Sequence, residues 1–309
     1  YASLLYRLAL TLGVDARLIG GDSGGPHAWN IVRIGSAYYN VDATWDASWY
    51  QAGMEYDFFL RTEATFEDHI RDTQYTSEEF NAAYPMAEAD YVPPVLTEIA
   101  GGSFSDNLTW KLTDDGTLTI SGNGAMRDYN FIQGTMPPWI WERGRIKTVV
   151  IEEGVTNIGR EAFDDCENLT SVTIPSTVTR IGGSAFNFCD KLNAVYIRDM
   201  EAWCKIEFYG NPLGQDANLF LDGKLVTELV IPDSVTTIHD YIFTGCTSLT
   251  SVVIPNGVTS IGESAFNGCT NLVSVTIPES VSSIGAGAFS GCSSLVGVTI
   301  PVGVTSIDG

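Results

Sequence analysis

The sequence has few basic residues, few histidines and no cysteine before Cys166. Only 16 Lys and Arg stand against 38 Asp and Glu, which gives a net charge of −22. A surface of that sign repels phosphate backbones and excludes nucleic acid as a partner. No apolar run approaches the ~20 residues that a membrane-spanning helix requires. We expect no metal site and no cofactor, because neither His nor a Cys-x-x-Cys pair accompanies the cysteines.

The dominant pattern is a phrase that recurs every 23 residues. The interval is kept by Ile151, Ile174 and Ile197, by Ile231, Ile254, Ile277 and Ile300, and by Phe243, Phe266 and Phe289. A fixed short period predicts a solenoid, because one such unit cannot bury its apolar face without stacked neighbours. Each unit shows a short strand, a Pro-marked turn, a second apolar step, a Gly turn and an Ala-Phe segment.

The second repeat shows which side chains should face inward, with Thr and Ser at the alternate strand positions facing solvent. The inward set is Leu169, Val172, Ile174, Val178, Ile181, Ala185 and Phe186. Five cysteines share one position of the repeat, and only Cys204 falls outside it. We predict buried, reduced thiols that pack as small hydrophobes. Disulfides between neighbouring coils stay open as an alternative, since stacked strands lie ~4.8 Å apart.

The regular period is interrupted between Ile197 and Ile231, which lie 34 residues apart. The additional residues include Trp203, Phe208 and Tyr209. An insertion in a solenoid usually forms a loop on one face. We predict that these aromatic residues cap a deformed coil; a binding patch is the alternative.

The repeated phrase I-P-x-x-V-T-x-I-G-x-x-A-F-x-x-C resembles the BspA-like leucine-rich repeats of bacterial surface proteins over residues 146–309. The resemblance implies an extracellular or cell-wall-attached protein whose repeats contact host or matrix proteins. Residues 93–145 precede the repeats and read as a linker and a β cap segment. Two alternating runs there flank Thr113-Asp-Asp-Gly116, which predicts a hairpin that shields the first coil.

Residues 1–92 lack the repeat and open with a helical pattern. Two alternating runs, 27–34 and 37–44, flank Gly35-Ser36, which is a two-residue hairpin signal. In that register Ile34 faces Ala37, and Asp42 becomes the diagonal neighbour of His27 on one face of the sheet. Diagonal neighbours are within reach of long side chains. An Asp that orients a His supplies two members of a nucleophilic triad; a structural hydrogen bond is the alternative.

Three ordered motifs in this region resemble the transglutaminase-like superfamily over residues 1–72. They are Tyr1-Ala2 at the start of a helix, H-A-W-N from His27, and Y-N-V-D-A-T-W-D ending at Asp46. The resemblance implies an α+β papain/transglutaminase-like domain within residues 1–92. It also implies a Cys nucleophile, His27 as the base and Asp42 as its orienting partner. Trp29 and Trp45 would be wall residues that contact substrate.

The chain departs from that superfamily at the nucleophile. The family's Cys stands about three residues before the Tyr-Ala pair, and Ser3 falls inside the helix where it is a poor substitute. We therefore expect the nucleophile upstream of Tyr1 in the parent protein, and no catalysis by residues 1–309 alone. The alternative is a domain that never had a nucleophile. We expect His69 to be structural or on the surface; a ligand role is the alternative.

Three functions are compatible with these patterns. The first is a bacterial surface protein that joins an amide acyl-transfer or hydrolysis domain to a protein-binding solenoid. Its partners would be a protein or peptide substrate and the ligand of the repeats. The second is a non-catalytic adhesion protein with an inactive transglutaminase fold. The third is a cysteine protease that trims peptides or peptidoglycan stems.

Overall fold

The computed structural model describes residues 2, 5–6, 9, 14–23, 26–42, 59–66, 69–90, 95–105, 107–210 and 217–307. The chain divides into two compact units, which we call the N-terminal unit (Tyr1–Val95) and the repeat unit (Leu96–Gly309). Within the described residues, no helix is long and apolar enough to cross a membrane.

The N-terminal unit contains an antiparallel sheet of five strands in the order β4-β3-β2-β1-β5. The strands are β1 (Ala16–Asp22), β2 (Pro26–Ile34), β3 (Ala37–Val41), β4 (Phe59–Arg61) and β5 (Ile70–Arg71). A 3-10 turn (Thr73–Tyr75) and the helix α1 (Glu78–Ala83) follow. Helix α1 begins where the Ser77 hydroxyl accepts a hydrogen bond from the Phe80 amide, which satisfies one otherwise unpaired donor. Ala2, Leu5, Tyr6 and Ala9 are helical, in agreement with the opening pattern.

The β2–β3 hairpin has the predicted register. Ile34 pairs with Ala37 and Asn30 pairs with Val41. Gly35 has φ +63°, a left-handed conformation that glycine adopts without steric cost. The turn therefore fixes which side chains share a face. Thr44, which this register would place opposite His27, lies outside the described residues.

Asp90 joins two loops of the N-terminal unit through several polar contacts. Its carboxylate accepts hydrogen bonds from the Thr65 hydroxyl, the Thr62 amide at 2.7 Å and the Arg61 guanidinium at 2.8 Å. Burial raises the pKa of Asp90, but these donors outweigh it and lower the pKa to about 2. The ionised carboxylate therefore stabilises the folded state.

We expect Asp90→Asn to destabilise the N-terminal unit at neutral pH and to have little effect in acid. Because the folded pKa lies below 3.8, the stabilisation is present above pH 4 and is lost as the pH falls toward 2. The side chain is 26% exposed, so we discount for solvent and expect about 1 kcal/mol at pH 7. Calorimetric unfolding of the chain at pH 7 and pH 2 measures this. An equal deficit at both pH values would contradict the assignment.

The repeat unit begins with an antiparallel cap whose last strand starts the solenoid. The cap comprises β6 (Glu98–Ser105), β7 (Leu108–Thr113) and β8 (Thr117–Gly122), and the short strand β9 (Gly124–Ala125) follows in a separate sheet. Strand β8 pairs antiparallel with β7 on one edge and parallel with the first repeat strand on the other, where Val149 faces Leu118. The cap thus covers the edge strand of the first coil, which would otherwise expose unpaired backbone groups.

A regular coil contributes one strand to each of two parallel rows. The first row continues from β8 through β10 (Thr148–Ile151), β12 (Ser171–Thr173), β14 (Ala194–Ile197) and β16 (Asn218–Leu221), and then through β18 (Glu228–Val230), β20 (Ser251–Val253) and β22 (Ser274–Thr276). The second row contains β9, β11 (Val155–Ile158), β13 (Arg180–Ile181) and β15 (Glu207–Phe208), and then β19 (Thr237–Ile238), β21 (Ser260–Ile261), β23 (Ser283–Ile284) and β24 (Ser306–Ile307). Among the described strands, hydrogen bonding in both rows stops before β18 and β19 and resumes with them.

One continuous hydrophobic core runs through the cap and the coils. All seven predicted inward residues of the second repeat are buried. The repeated phenylalanines stack along the solenoid: the rings of Phe163 and Phe186 lie 5.1 Å apart, and Phe266 lies 5.3 Å from Phe243 and 5.4 Å from Phe289. The six cysteines are free thiols. The predicted solenoid is confirmed.

The insertion forms a short helix and a hairpin in place of a regular coil. Helix α2 (Met200–Cys204) begins where Asp199 accepts a hydrogen bond from the Ala202 amide at 3.0 Å. The strand β17 (Lys224–Leu225) folds back on β16. Trp203 and Phe208 are buried in the core, so they close the deformed coil as predicted. Of the three predicted aromatic residues, Tyr209 alone is exposed, and the Arg180 guanidinium lies 4.8 Å from its ring centroid.

The glycine that follows the second strand permits the close approach of neighbouring coils. A Cβ added at Gly182 would lie 2.8 Å from the Arg160 Cα and 2.9 Å from the Gly159 carbonyl carbon. Gly262 and Gly285 meet the backbone of the preceding coil in the same way. The glycine of the repeated I-G pair is therefore required by packing between coils.

We expect Gly182→Ala to destabilise the repeat unit by about 1–3 kcal/mol, because the added methyl group meets backbone that cannot rotate away. Gly297→Ala is the matched control, since a Cβ there would meet nothing within 4 Å. Guanidinium unfolding of the two variants measures the difference. Equal denaturant midpoints for the two variants would show that the neighbouring coils can move apart without loss of stability.

Candidate active site

Three strands of the N-terminal unit bring two histidines to one buried carboxylate. His27 lies in β2, Asp42 follows β3, and His69 precedes β5. Because β3 and β5 lie on opposite sides of the β2–β1 pair, His69 reaches the site from a different part of the sheet. The two predicted site residues, His27 and Asp42, are in contact.

The three side chains of the cluster are in close contact and are mostly buried. His27 Nε2 lies 2.6 Å from Asp42 Oδ2, and His69 Nε2 lies 2.9 Å from the same oxygen. The Asp42 and His69 side chains are fully buried, and the His27 side chain is 19% exposed. His27 is therefore the member that solvent or a substrate can reach.

These contacts determine the tautomer of His27. An ionised carboxylate only accepts hydrogen bonds, so each imidazole donates its Nε2–H to Asp42. In a neutral imidazole the other nitrogen, Nδ1, is then an acceptor. His27 can accept a proton at Nδ1, and the imidazolium that forms is stabilised by Asp42. This is the relation of base and orienting acid in a nucleophilic triad.

Aromatic side chains hold the imidazoles in place. The Phe66 ring stacks on His69 with centroids 3.9 Å apart, and Trp29 meets His69 edge-on at 5.1 Å. Gly21 is opposite His27 in the β1–β2 ladder, and a Cβ there would lie 2.6 Å from Trp29. Glycine at this position therefore makes room for the indole.

A buried polar network supports Trp29 on its other side. Trp29 Nε1 donates to Asn40 Oδ1 at 3.1 Å, and Arg71 donates to the same oxygen at 3.1 Å. Arg71 also pairs with Glu63 at 2.7 Å, and burial lowers the pKa of its guanidinium. Buried polar groups of this kind fix one arrangement of the side chains.

The structure describes some of the predicted wall residues and not others. Trp29 is fully buried beneath the cluster, and a role in contacting substrate stays a prediction. Trp45 and Ser3 lie outside the described residues. His69 is not on the surface, as one alternative had it, but sits at the centre of the cluster. In the sequence, Phe66 and His69 stand just before a strand. No periodic pattern connects them to Asp42.

Two buried thiols of the repeat unit are poor nucleophiles. Burial raises the pKa of both Cys204 and Cys246 to about 12. A thiol attacks as its thiolate, so these two side chains stay protonated at neutral pH. They contribute packing to the solenoid.

The repeat unit carries a groove of ≈ 580 Å³ where the second row is interrupted. Strands β15 and β19 line the groove from two coils that share no ladder among the described strands. Glu207, Asp240 and Glu263 contribute carboxylates, and His239 is part of the wall. The groove is acidic and favours a partner that carries positive charge.

Comparison with known families identifies the repeats. The profile of the BspA type leucine rich repeat region matches in six copies over residues 140–211 and 216–309. No curated protein matches the chain.

Several solved structures are similar to the chain. A leucine rich repeat protein of T. pallidum is 22% identical, with 62% of this chain and 90% of that chain covered and a TM-score of 0.40. A leucine-rich repeat protein from Bacteroides ovatus is 21% identical, with 67% and 55% covered and a TM-score of 0.43. A leucine rich cell surface protein from Faecalibacterium prausnitzii is 26% identical, with 67% and 55% covered and a TM-score of 0.34.

Proposed function

Because the chain belongs to the BspA-type leucine-rich repeat family, we propose that it is a bacterial surface protein whose repeats bind other proteins. We further propose that its N-terminal unit is a transglutaminase-like domain that acts on protein amides. The observation that carries the second proposal is the 2.6 Å contact between His27 Nε2 and the buried Asp42 carboxylate. The partner of the repeats is a host or matrix protein with a basic surface, which suits the acidic groove.

The proposed reaction begins at a cysteine thiolate upstream of Tyr1, beside Nδ1 of His27. The thiolate attacks the carbonyl carbon of a glutamine side chain, and the tetrahedral intermediate expels ammonia as His27 supplies a proton. The resulting thioester is resolved by an amine, which gives a cross-link, or by water, which gives deamidation. Because binding by the repeats and catalysis by the N-terminal unit are linked in one chain, the effective concentration of a substrate that the repeats hold is raised.

Extending the coding sequence upstream of Tyr1 tests this proposal. The extended protein should contain a cysteine about three residues before Tyr1. It should also join an amine donor to a glutamine peptide. His27→Ala should lower that rate by about 10³-fold or more, because the base is lost, while Asp90→Asn, which lies outside the cluster, should leave it within about twofold. A rate indifferent to His27, or the absence of the cysteine, would reject the enzyme.

A non-catalytic adhesion protein is the second candidate, and one observation favours it. His69 donates to the same oxygen of Asp42 as His27 does, so the cluster also serves as a buried structural link between β3 and β5. In that case the repeats alone carry the function. Binding of a basic protein partner would then persist in His27→Ala, and no substrate would be modified.

A further inference from the structure

We propose that His27, Asp42 and His69 form a binding site for a divalent transition-metal ion such as Zn²⁺. The three ligand atoms, one from each residue, all lie within 4.8 Å of one another. Two imidazole nitrogens and a carboxylate oxygen are a ligand set that zinc favours, with the fourth position left open. The triad hypothesis uses only two of these residues and assigns no role to His69.

The distances between the three ligand atoms are close to those of a zinc site, so the side chains need to move only slightly to bind an ion. Ligand atoms of a tetrahedral zinc site lie about 3.3 Å apart, given bonds of ~2.0 Å. The two imidazole nitrogens now lie 2.6 and 2.9 Å from Asp42 Oδ2. These two contacts must lengthen by about 0.7 Å and about 0.4 Å, which a small rotation of the side chains provides. The partial exposure of His27 supplies a path of entry.

Burial and charge strengthen the case. A single carboxylate with two neutral imidazoles leaves a dication half neutralised in a site with little water, where electrostatic attraction is stronger than in solvent. Each imidazole must transfer its proton from Nε2 to Nδ1 so that Nε2 can bind the ion. Phe66 and Trp29 fix the position of His69, so the ligand is already oriented before binding.

Metal binding at this site would also regulate the enzyme, and this consequence rests on the proposed function, whereas the site itself does not. A zinc ion on Nε2 of His27 leaves the hydrogen at Nδ1, the nitrogen that must accept a proton from the thiol. Metal binding would therefore switch off the enzyme reversibly, and a chelator would restore it.

Titration calorimetry of the purified chain with Zn²⁺, under reducing conditions and with excess Mg²⁺, tests the site directly. We expect one ion per chain at this site. Cobalt substitution provides a second readout, because a nitrogen and oxygen ligand set lacks the charge-transfer band of a thiolate. His69→Ala and His69→Gln should weaken binding by about 30-fold or more, since a ligand is removed.

His239→Ala is the matched control, because the chain has three histidines and His239 lies in the repeat unit. Its affinity should stay within twofold of the wild type. His27→Gln, at a partly exposed position, replaces the His69 variants if circular dichroism shows that they unfold. Unchanged affinity in folded variants, or a thiolate band with cobalt, would overturn the site. Metal binding without thiol-dependent activity would support the site and reject only the enzyme.

Discussion

Replacing Phe266 by alanine should lower the free energy of unfolding of the repeat unit by about 3–5 kcal/mol. Phe266 is fully buried between the rings of Phe243 and Phe289. The substitution removes the transfer free energy of the ring and leaves a cavity that the stacked neighbours cannot fill. Coils contribute to stability through their interfaces, so both adjoining coils should weaken. Guanidinium unfolding followed by circular dichroism measures the loss.

Phe188→Ala is the matched control for that experiment. Phe188 is 63% exposed, and its substitution should change stability by less than about 0.5 kcal/mol, as for most surface positions. A similar loss in both variants would mean that the phenylalanine ladder does not carry the stability of the stack. A broadened transition in Phe266→Ala alone would show that the coils have begun to unfold separately.

The solenoid was predictable from the sequence because its physics is local and repeated. Each coil places the same residues at the same depth, so the interval between Phe243 and Phe266 predicts their stacking. The insertion was less predictable, because no second copy of it exists for comparison. The sequence suggested that Trp203 and Phe208 close a deformed coil, but it did not reveal the helix at Met200 or the interruption of both rows.

The candidate site was predictable only where a turn fixes the register. Gly35 sets the β2–β3 pairing, and this pairing places Asp42 beside His27. His69 reaches Asp42 through β5, which pairs with β1 across the sheet. Such a contact joins residues 27 positions apart without any turn or period to indicate it. Long-range pairing of short strands leaves no local pattern, and this is why the second imidazole was missed.

Asp42→Asn should distinguish a triad from a structural link. In an extended protein that carries the upstream cysteine, we expect kcat to fall by about 10³–10⁴-fold. An amide that turns its NH₂ group toward Nε2 favours the tautomer with hydrogen on Nδ1, and His27 then cannot accept the proton of the thiol. The chain should still fold, since the amide fits the space of the carboxylate.

Asp90→Asn provides the matched acid-to-amide control in the same unit, because Asp90 bonds to Thr62 and Arg61 rather than to the cluster. It should reduce stability and leave kcat within about twofold, as expected for a site outside the chemistry. If Asp42→Asn lowered only the unfolding temperature and spared kcat, the carboxylate would hold β3 to β5 and orient nothing. If it lowered kcat with little change in KM, the loss would lie in the transition state. Asp42 would then act through His27, and His69 would be the residue that keeps the carboxylate in position.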